Sequence, residues 1–84
     1  VDALRIAIAT AEAGFRTVQR DLHAGMTELD AYALFHHAAL QHLGRPGVIY
    51  GDFASGERTC QGGGPATART LNPGDPFLLD ASVV

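Results

Sequence analysis

Residues 72–84 read NPGDPFLLDASVV, and this stretch decides how the fold is interpreted. Its first four residues have the composition of a β-turn, because proline fixes the backbone at the second position and glycine supplies a positive φ at the third. From Phe77 onward the residues are apolar except Asp80 and Ser82, which predicts a strand that runs to the end of the chain. Because natural domains rarely stop inside an apolar strand, we expect the chain to be a fragment cut inside its domain.

A second strand is predicted upstream, over residues 48–54 with the sequence VIYGDFA. Its β-branched and aromatic residues favour a strand, and Gly51 is expected to form a β-bulge within it. Ser55 and Gly56 end the strand. Residues 57–71 contain three consecutive glycines, a proline and few apolar residues, so they are expected to form a long irregular loop.

The N-terminal residues show the periodicity of an amphipathic helix with one buried stripe. Apolar residues recur at alternating steps of four and three, at Leu4, Ile8, Ala11, Phe15, Val18 and Leu22. Asp2 suits the N-cap of this helix, and Gly25 follows as a C-terminal stop because glycine tolerates a positive φ. The pattern predicts a helix of about twenty residues.

A second helix is predicted to begin after Thr27, whose side chain is a favoured N-cap. Glu28 and Asp30 lie in its first turn, where acids suit the positive end of the helix dipole. Its expected buried face consists of Tyr32, Phe35, Ala39 and Leu43, and its expected polar face of Asp30, His37 and Gln41. Gly44 ends the helix, so the two helices should pack as an antiparallel hairpin.

The length and composition exclude several classes of protein. The 84 residues carry a formal net charge of −3, and 46% are apolar. This length and composition exclude disorder and allow one domain at most. The acidic balance provides no basic stripe, and no apolar run approaches the roughly 18 residues that cross a bilayer, so we expect neither a nucleic acid nor a membrane as partner. The single cysteine, Cys60, favours a reducing, cytoplasmic location.

Asp80 is the one ionisable residue of its predicted strand. A carboxylate among apolar residues needs hydrogen bonds, a cation or a metal to offset the cost of its burial. One interpretation is an aspartate satisfied by backbone amides or facing solvent at a sheet edge. The other is a ligand for a hard divalent cation such as Mn²⁺ or Mg²⁺. Composition alone favours the first.

Other polar groups give weaker signals. The four histidines lack the spacing of a metal site and are interpreted as surface or boundary residues. Cys60 is interpreted as a thiol without activation. The glycines at 62–64 favour a flexible loop, with an anion-binding nest of amides, or close approach to a ligand or a neighbouring strand, as alternatives.

The order of these features resembles the start of the catalytic domain of the pita-bread metallopeptidases, the family of methionine aminopeptidase, Xaa-Pro aminopeptidase, prolidase and creatinase. The resemblance rests on a helix, the G-x-T-E turn at 25–28, a second helix, and a strand ending in Ser55-Gly56. A loop with Pro65, the L-x-x-G-D string at 71–75 and a hydrophobic strand with Asp80 complete it, so that it covers nearly the whole chain.

The resemblance implies an α+β fold class: the first part of a pita-bread fold, truncated, with two antiparallel helices packed on strands of a curved, mainly antiparallel sheet. Residues 1–84 would form an incomplete catalytic domain, the N-terminal fragment of the whole. It also implies that Asp80 is the first ligand of a site for two divalent metal ions, Mn, Co, Fe or Zn. The family's other ligands lie downstream of this stretch, so the fragment alone is expected to be inactive.

For the intact protein, the resemblance implies a metal-dependent hydrolase of the aminopeptidase or Xaa-Pro peptidase type. In such enzymes a hydroxide activated by two metal ions attacks a peptide bond. The implied substrate is a peptide or a small C–N compound, the implied metal is manganese or a related ion, and the implied assembly is a homodimer in the cytoplasm.

The loop before Pro65 departs from the family pattern. The family's peptidases usually carry a histidine there, and Gly62 is the match by spacing to Asp80. Gly62, Gly63 and Ser82 are assigned to the substrate-binding side of the site, yet a glycine has no side chain to contact the reacting amide. Two alternatives therefore stay open: a relative with altered chemistry, as a non-peptide C–N hydrolase or a lyase, and a catalytically inactive peptide-binding module.

Overall fold

In the described residues, the fold contains two α-helices, one 3₁₀ helix and two strands. The structure is a computed structural model, and it describes residues 2–83. The elements are α1 (Asp2–Asp21), α2 (Glu28–Leu43), β1 (Ile49–Ser55), a 3₁₀ helix (Gly56–Gln61) and β2 (Phe77–Val83). The helices pack on the antiparallel pair of strands, which confirms the α+β class and agrees with the first part of a pita-bread fold. In this part of the chain, each helix is too short or too polar to span a membrane.

The two helices pack as an antiparallel pair. Phe15 of α1 meets Phe35 of α2 with ring centroids 5.3 Å apart, and Thr10 of α1 lies 3.3 Å from the His42 ring nitrogen near the end of α2. Gly14 allows this close approach, because a Cβ at that position would lie 2.5 Å from the Phe35 ring. The predicted hairpin is therefore confirmed.

The buried stripe of α1 is shorter than predicted. Val18 is buried, and Ala11, Phe15 and Leu22 are partly buried against the core. Leu4 and Ile8 are 64% and 51% exposed, so the prediction was wrong for the first turns. The described strands and α2 cover only the C-terminal part of the stripe. The proposed cap, Asp2, has a side chain outside the described part.

The bounds of α2 follow from its caps. The Thr27 hydroxyl accepts the Asp30 amide at 3.1 Å, and the Asp30 carboxylate accepts the Thr27 amide at 2.8 Å, which makes a reciprocal capping box. Gly44 ends the helix with φ 75°. Phe35 and Ala39 are fully buried, so the predicted apolar face is confirmed.

The sheet is a regular antiparallel ladder, with Ile49 opposite Val83 and Ser55 opposite Phe77. Gly51 pairs directly with Ala81, and no residue is left over, so the predicted bulge was wrong. A Cβ at Gly51 would overlap the Asp80 carbonyl oxygen. The glycine is required for the close approach of β2 rather than for an extra residue in β1.

The core lies between the helices and one face of the sheet. Its buried members are Val18, Phe35, Ala39, Ile49 and Phe53. The Phe53 ring is edge-on to Phe35 at 5.8 Å and to Tyr32 at 5.2 Å, the arrangement that aromatic pairs prefer. Phe77, Leu79 and Ala81 of β2 pack against this cluster, so the alternate residues of β2 point to the other face.

The segment between the strands is more ordered than predicted. It begins with the 3₁₀ helix, so the irregular loop starts only after Gln61. Further on, Leu71 exchanges backbone hydrogen bonds with the turn between the helices, donating to Met26 at 2.7 Å and accepting from Gly25 at 2.9 Å. The turn at 72–75 is confirmed, because the Asp75 amide donates to the Asn72 carbonyl at 3.0 Å and Gly74 has φ 82°.

Candidate functional site

Asp80 lies on the face of the sheet opposite the helices. Its side chain is exposed, and its direct partner across the ladder is Asp52 of β1. Side chains of directly opposite residues project from the same face of the sheet, with Cβ atoms about 5 Å apart. We call the surface formed by Asp52, Leu78 and Asp80 the open face. Of the two interpretations of Asp80, solvent exposure is confirmed, and the metal role stays a prediction.

The three glycines lie beside the open face. A Cβ at Gly63 would be 2.9 Å from Leu78 and 3.2 Å from Asp52, so the backbone there packs directly on the sheet. The Gly64 amide donates to Asp52 Oδ1 at 3.0 Å, and its carbonyl accepts the Phe53 amide at 2.9 Å. Close approach to a neighbouring strand, one of the alternatives, is confirmed. We call residues 62–64 the glycine loop.

The amides of the glycine loop form no anion nest. Gly62 and Gly63 both donate to the Arg58 carbonyl, and Gly64 donates to Asp52. A nest needs successive amides that converge on a ligand. Because protein oxygens accept all three, that alternative was wrong.

The position that matches the family's histidine has a backbone suited to glycine. Gly62 has φ 90°, and its neighbours have φ 82° and 124°. Residues other than glycine rarely adopt such a φ, because their Cβ is strained there. Space is not the limit at Gly62, since no atom lies within 4 Å of a Cβ built at that position. The loop therefore presents backbone alone toward the open face. Ser82 is exposed and lies two residues after Asp80 in β2, so it projects from the same face of the sheet, and it also borders a cleft against the start of α1.

Glu28 was missed by the sequence analysis, which interpreted it as an acid for the helix dipole. Its side chain is fully buried. Its Oε2 accepts the Ser55 amide and hydroxyl at 2.9 and 2.7 Å, and its Oε1 accepts the Thr67 amide and hydroxyl at 3.0 and 2.7 Å. Arg58 also donates to Oε1. One hint was available: since Thr27 and Asp30 complete the cap, Glu28 has no capping task.

Hydrogen bonds decide the charge of Glu28. Burial raises the pKa of its carboxyl, but the bonds from Thr67 and Ser55 lower it more, so the net pKa lies below its ordinary value. A second pair lies close by: Arg69 donates to Asp75 at 2.9 Å and to the Ser55 hydroxyl at 2.8 Å. The Asn72 amide and Arg69 lower the pKa of Asp75. Both carboxylates are therefore stabilised as anions.

The surroundings of His36 and Cys60 agree with their interpretation as a boundary residue and a surface thiol. The His36 ring is edge-on to Tyr32 at 5.4 Å, and Cys60 is exposed. Within residues 2–83, no three side chains of His, Cys, Asp or Glu come together in a group that could hold a metal ion. The described residues thus bring two carboxylates, Asp52 and Asp80, to the open face.

The α+β fold and the strand aspartate agree with the resemblance described above, and comparison with known families tests it. The sequence model of metallopeptidase family M24 matches residues 2–84. The chain belongs to this family. Comparison with curated proteins gives no match, and comparison with solved structures gives none either.

Membership of this family supports a dependence on divalent metal ions in general. Among the residues present, Asp80 is suited to be one ligand of such a site. Asp80 offers a hard carboxylate oxygen, exposed on a strand whose backbone is fixed by its ladder with β1. The glycine loop places backbone rather than a side chain beside the adjoining Asp52.

Proposed function

We propose that the protein is a metal-dependent hydrolase of the aminopeptidase or Xaa-Pro peptidase type, and that Asp80 is one of its metal ligands. The observation that carries the proposal is the position of Asp80, exposed on the open face within a chain of family M24. A structural aspartate at this place would be expected to bond to neighbouring amides, as Asp52 does with Gly64.

The residues of this chain have separate tasks in the proposed site. Asp80 would hold the metal ion, and the regular pairing of Gly51 with Ala81 beside it fixes the strand from which it projects. A divalent metal supplies Lewis-acid polarisation of the substrate carbonyl. Backbone atoms of Gly62 and Gly63 in the glycine loop would contact the substrate, and the loop would contribute no basic side chain there.

The details beyond the family follow from the resemblance and are part of the proposal. They comprise a pair of divalent ions, with manganese among the candidates, a peptide or small C–N substrate, a cytoplasmic location and a homodimer. Further ligands would come from outside residues 1–84. On this proposal, residues 1–84 alone are inactive.

A second candidate is a relative whose chemistry has changed, such as a non-peptide C–N hydrolase or a lyase, or a binding module without activity. The observation that favours it is the conformation of the glycine loop, with three successive positive φ angles. A histidine at Gly62 would be strained, so the loop is built for glycine rather than altered at one position. A screen of the full-length protein against Xaa-Pro dipeptides, other amides and carbon–sulfur substrates separates these candidates.

The test of the metal role uses Asp80→Asn in the full-length protein, with Glu12→Gln as the matched control. Both changes replace one exposed carboxylate with an amide, and Glu12 lies on α1. We expect Asp80→Asn to lose stoichiometric Mn²⁺ in a metal analysis after desalting, and to lose hydrolysis by at least about a hundredfold. Full metal content and turnover in Asp80→Asn would refute the assignment, whereas Glu12→Gln should behave as the wild type.

A further inference from the structure

Arg58 connects the buried network of Glu28 to the glycine loop. Its guanidinium is largely buried, with 22% of the side chain exposed, and it pairs with the fully buried Glu28 carboxylate. Its Nη1 faces Glu28, and its second terminal nitrogen, Nη2, donates to the Pro65 carbonyl at 2.9 Å. The Arg58 backbone carbonyl accepts the Gly63 amide at 3.1 Å. One residue therefore holds the glycine loop from both of its ends.

The Glu28 carboxylate keeps this arginine in place. It receives hydrogen bonds from Ser55 at the end of β1 and from Thr67 beyond the glycine loop, so its own position is fixed by two other segments. A buried carboxylate with so many donors has little freedom to turn. Arg58 is thus anchored on a rigid group, and its planar fork sets the direction in which Nη2 points.

The glycine loop transmits this restraint to the open face. Gly64 binds Asp52 Oδ1 and Gly63 packs on Leu78 and on the Asp52 side chain. Asp52 in turn stands directly opposite Asp80. Like charges directly across a ladder repel each other, and a carboxylate that rotates freely could compete for the same cation. The bond to Gly64 restrains Asp52 and partly offsets its charge.

We propose that Arg58, anchored by Glu28, is a positioning residue that fixes the glycine loop against Asp52 and thereby keeps Asp52 in one orientation beside Asp80. This inference rests on the proposed metal role of Asp80. Arg58 acts only through the loop and touches neither metal nor substrate.

The test compares Arg58→Lys with Arg69→Lys in the full-length protein. A lysine at position 58 keeps the charge beside Glu28 but presents a single ammonium group, which does not bridge to Pro65 as the guanidinium does. Arg69 is the matched control, because it also lies in the network, paired with Asp75 and bonded to Ser55, yet its bonds do not reach the glycine loop. Both variants keep the net charge.

Three readouts separate positioning from general stability. Hydrogen exchange of a peptide that spans 61–65 should quicken about tenfold in Arg58→Lys and stay as in the wild type in Arg69→Lys. The kcat/KM for the best substrate, and the Mn²⁺ affinity, should fall about tenfold in Arg58→Lys. In an Asp52→Ala background, which removes the acceptor of the Gly64 amide, Arg58→Lys should have no further effect on kcat/KM or on Mn²⁺ affinity, while its effect on the exchange of the loop remains.

Each outcome decides the inference. Unchanged exchange in Arg58→Lys, equal exchange in the two lysine variants, or a fall in kcat/KM and Mn²⁺ affinity that persists in the Asp52→Ala background would overturn it. A full-length protein without any metal-dependent hydrolysis would refute the proposed function. In that case exchange and Mn²⁺ affinity still decide whether Arg58 positions the loop beside Asp80.

Discussion

The two faces of the sheet differ in what holds their side chains. On the helix side, Phe53 is 1% exposed and contacts two aromatic rings of the core. On the open face, Asp52 and Asp80 stand opposite each other, and the latter is exposed. The helix side gains stability from burial, whereas two like charges across a ladder cost stability. On the proposal above, the metal ion held by Asp80 would offset that repulsion.

Glu28, Ser55, Arg58 and Thr67 form the Glu28 network, which lies on neither face of the sheet and joins α2 to the glycine loop. It lies at the start of α2, and its partners come from the end of β1 and from the segment that carries the glycine loop. Since a buried carboxylate without partners is costly, its five donors are a requirement of the fold. We therefore expect substitutions on the helix side and in the Glu28 network to lower stability, and substitutions on the open face to lower activity.

The largest effect is expected on the helix side. Phe53→Ala should lower the free energy of unfolding of the full-length protein by about 4 kcal/mol, because a fully buried ring is replaced by a cavity. Urea denaturation followed by circular dichroism measures it. Leu78→Ala on the open face, which removes a partly exposed side chain, is the control and should cost clearly less. Equal losses for both would show that the helix side contributes no more stability than the open face.

The Glu28 network should give an intermediate effect that depends on pH. Glu28→Gln is expected to cost about 2–3 kcal/mol at neutral pH, because an amide cannot accept all of the donors that face it. The pKa of Glu28 is lowered in the folded state, so its contribution is present above the unfolded pKa, about 4.3, and is lost as the pH falls through the lower folded pKa.

Urea midpoints between pH 7 and pH 2.5 measure this pH dependence. The wild type should lose stability at the acid end, and Glu28→Gln should lose less over the same range. Asp75, whose pKa is lowered as well, accounts for part of the remaining slope. A variant whose curve runs parallel to that of the wild type would show that Glu28 contributes no such stabilisation.

The smallest effect is expected on the open face, with the opposite sign. Asp80→Asn removes the repulsion from Asp52, so the metal-free protein should gain about 0.5 kcal/mol at low ionic strength. Thermal unfolding with and without a chelator, at low and high salt, measures the change. Since salt screens exposed charges, the gain should shrink at high salt. A loss of stability in the metal-free variant would mean that Asp80 supports the fold.

Local sequence signals were sufficient for the two α-helices, the two strands and the turn at 72–75, but not for the 3₁₀ helix. The capping box of Thr27, the stop at Gly44 and the turn at 72–75 each depend on residues within four positions of one another. The apolar composition of β2 marked Asp80 as exceptional, and its exposure was one of the two interpretations that the sequence left open. The bulge at Gly51 was wrong because a lone glycine in a strand has two explanations, an extra residue or a close neighbour, and only the ladder separates them.

By itself, the sequence determined two helices, two strands, their order and a strand aspartate in the pattern of the M24 family, because propensity, caps and periodicity act between near neighbours. Only the tertiary structure decided that Glu28 is buried, that Asp52 faces Asp80 and that the glycine loop packs on the open face. The partners of Glu28 lie 27, 30 and 39 residues away along the chain. Such contacts depend on strand register and on which surfaces meet, and no local pattern encodes them.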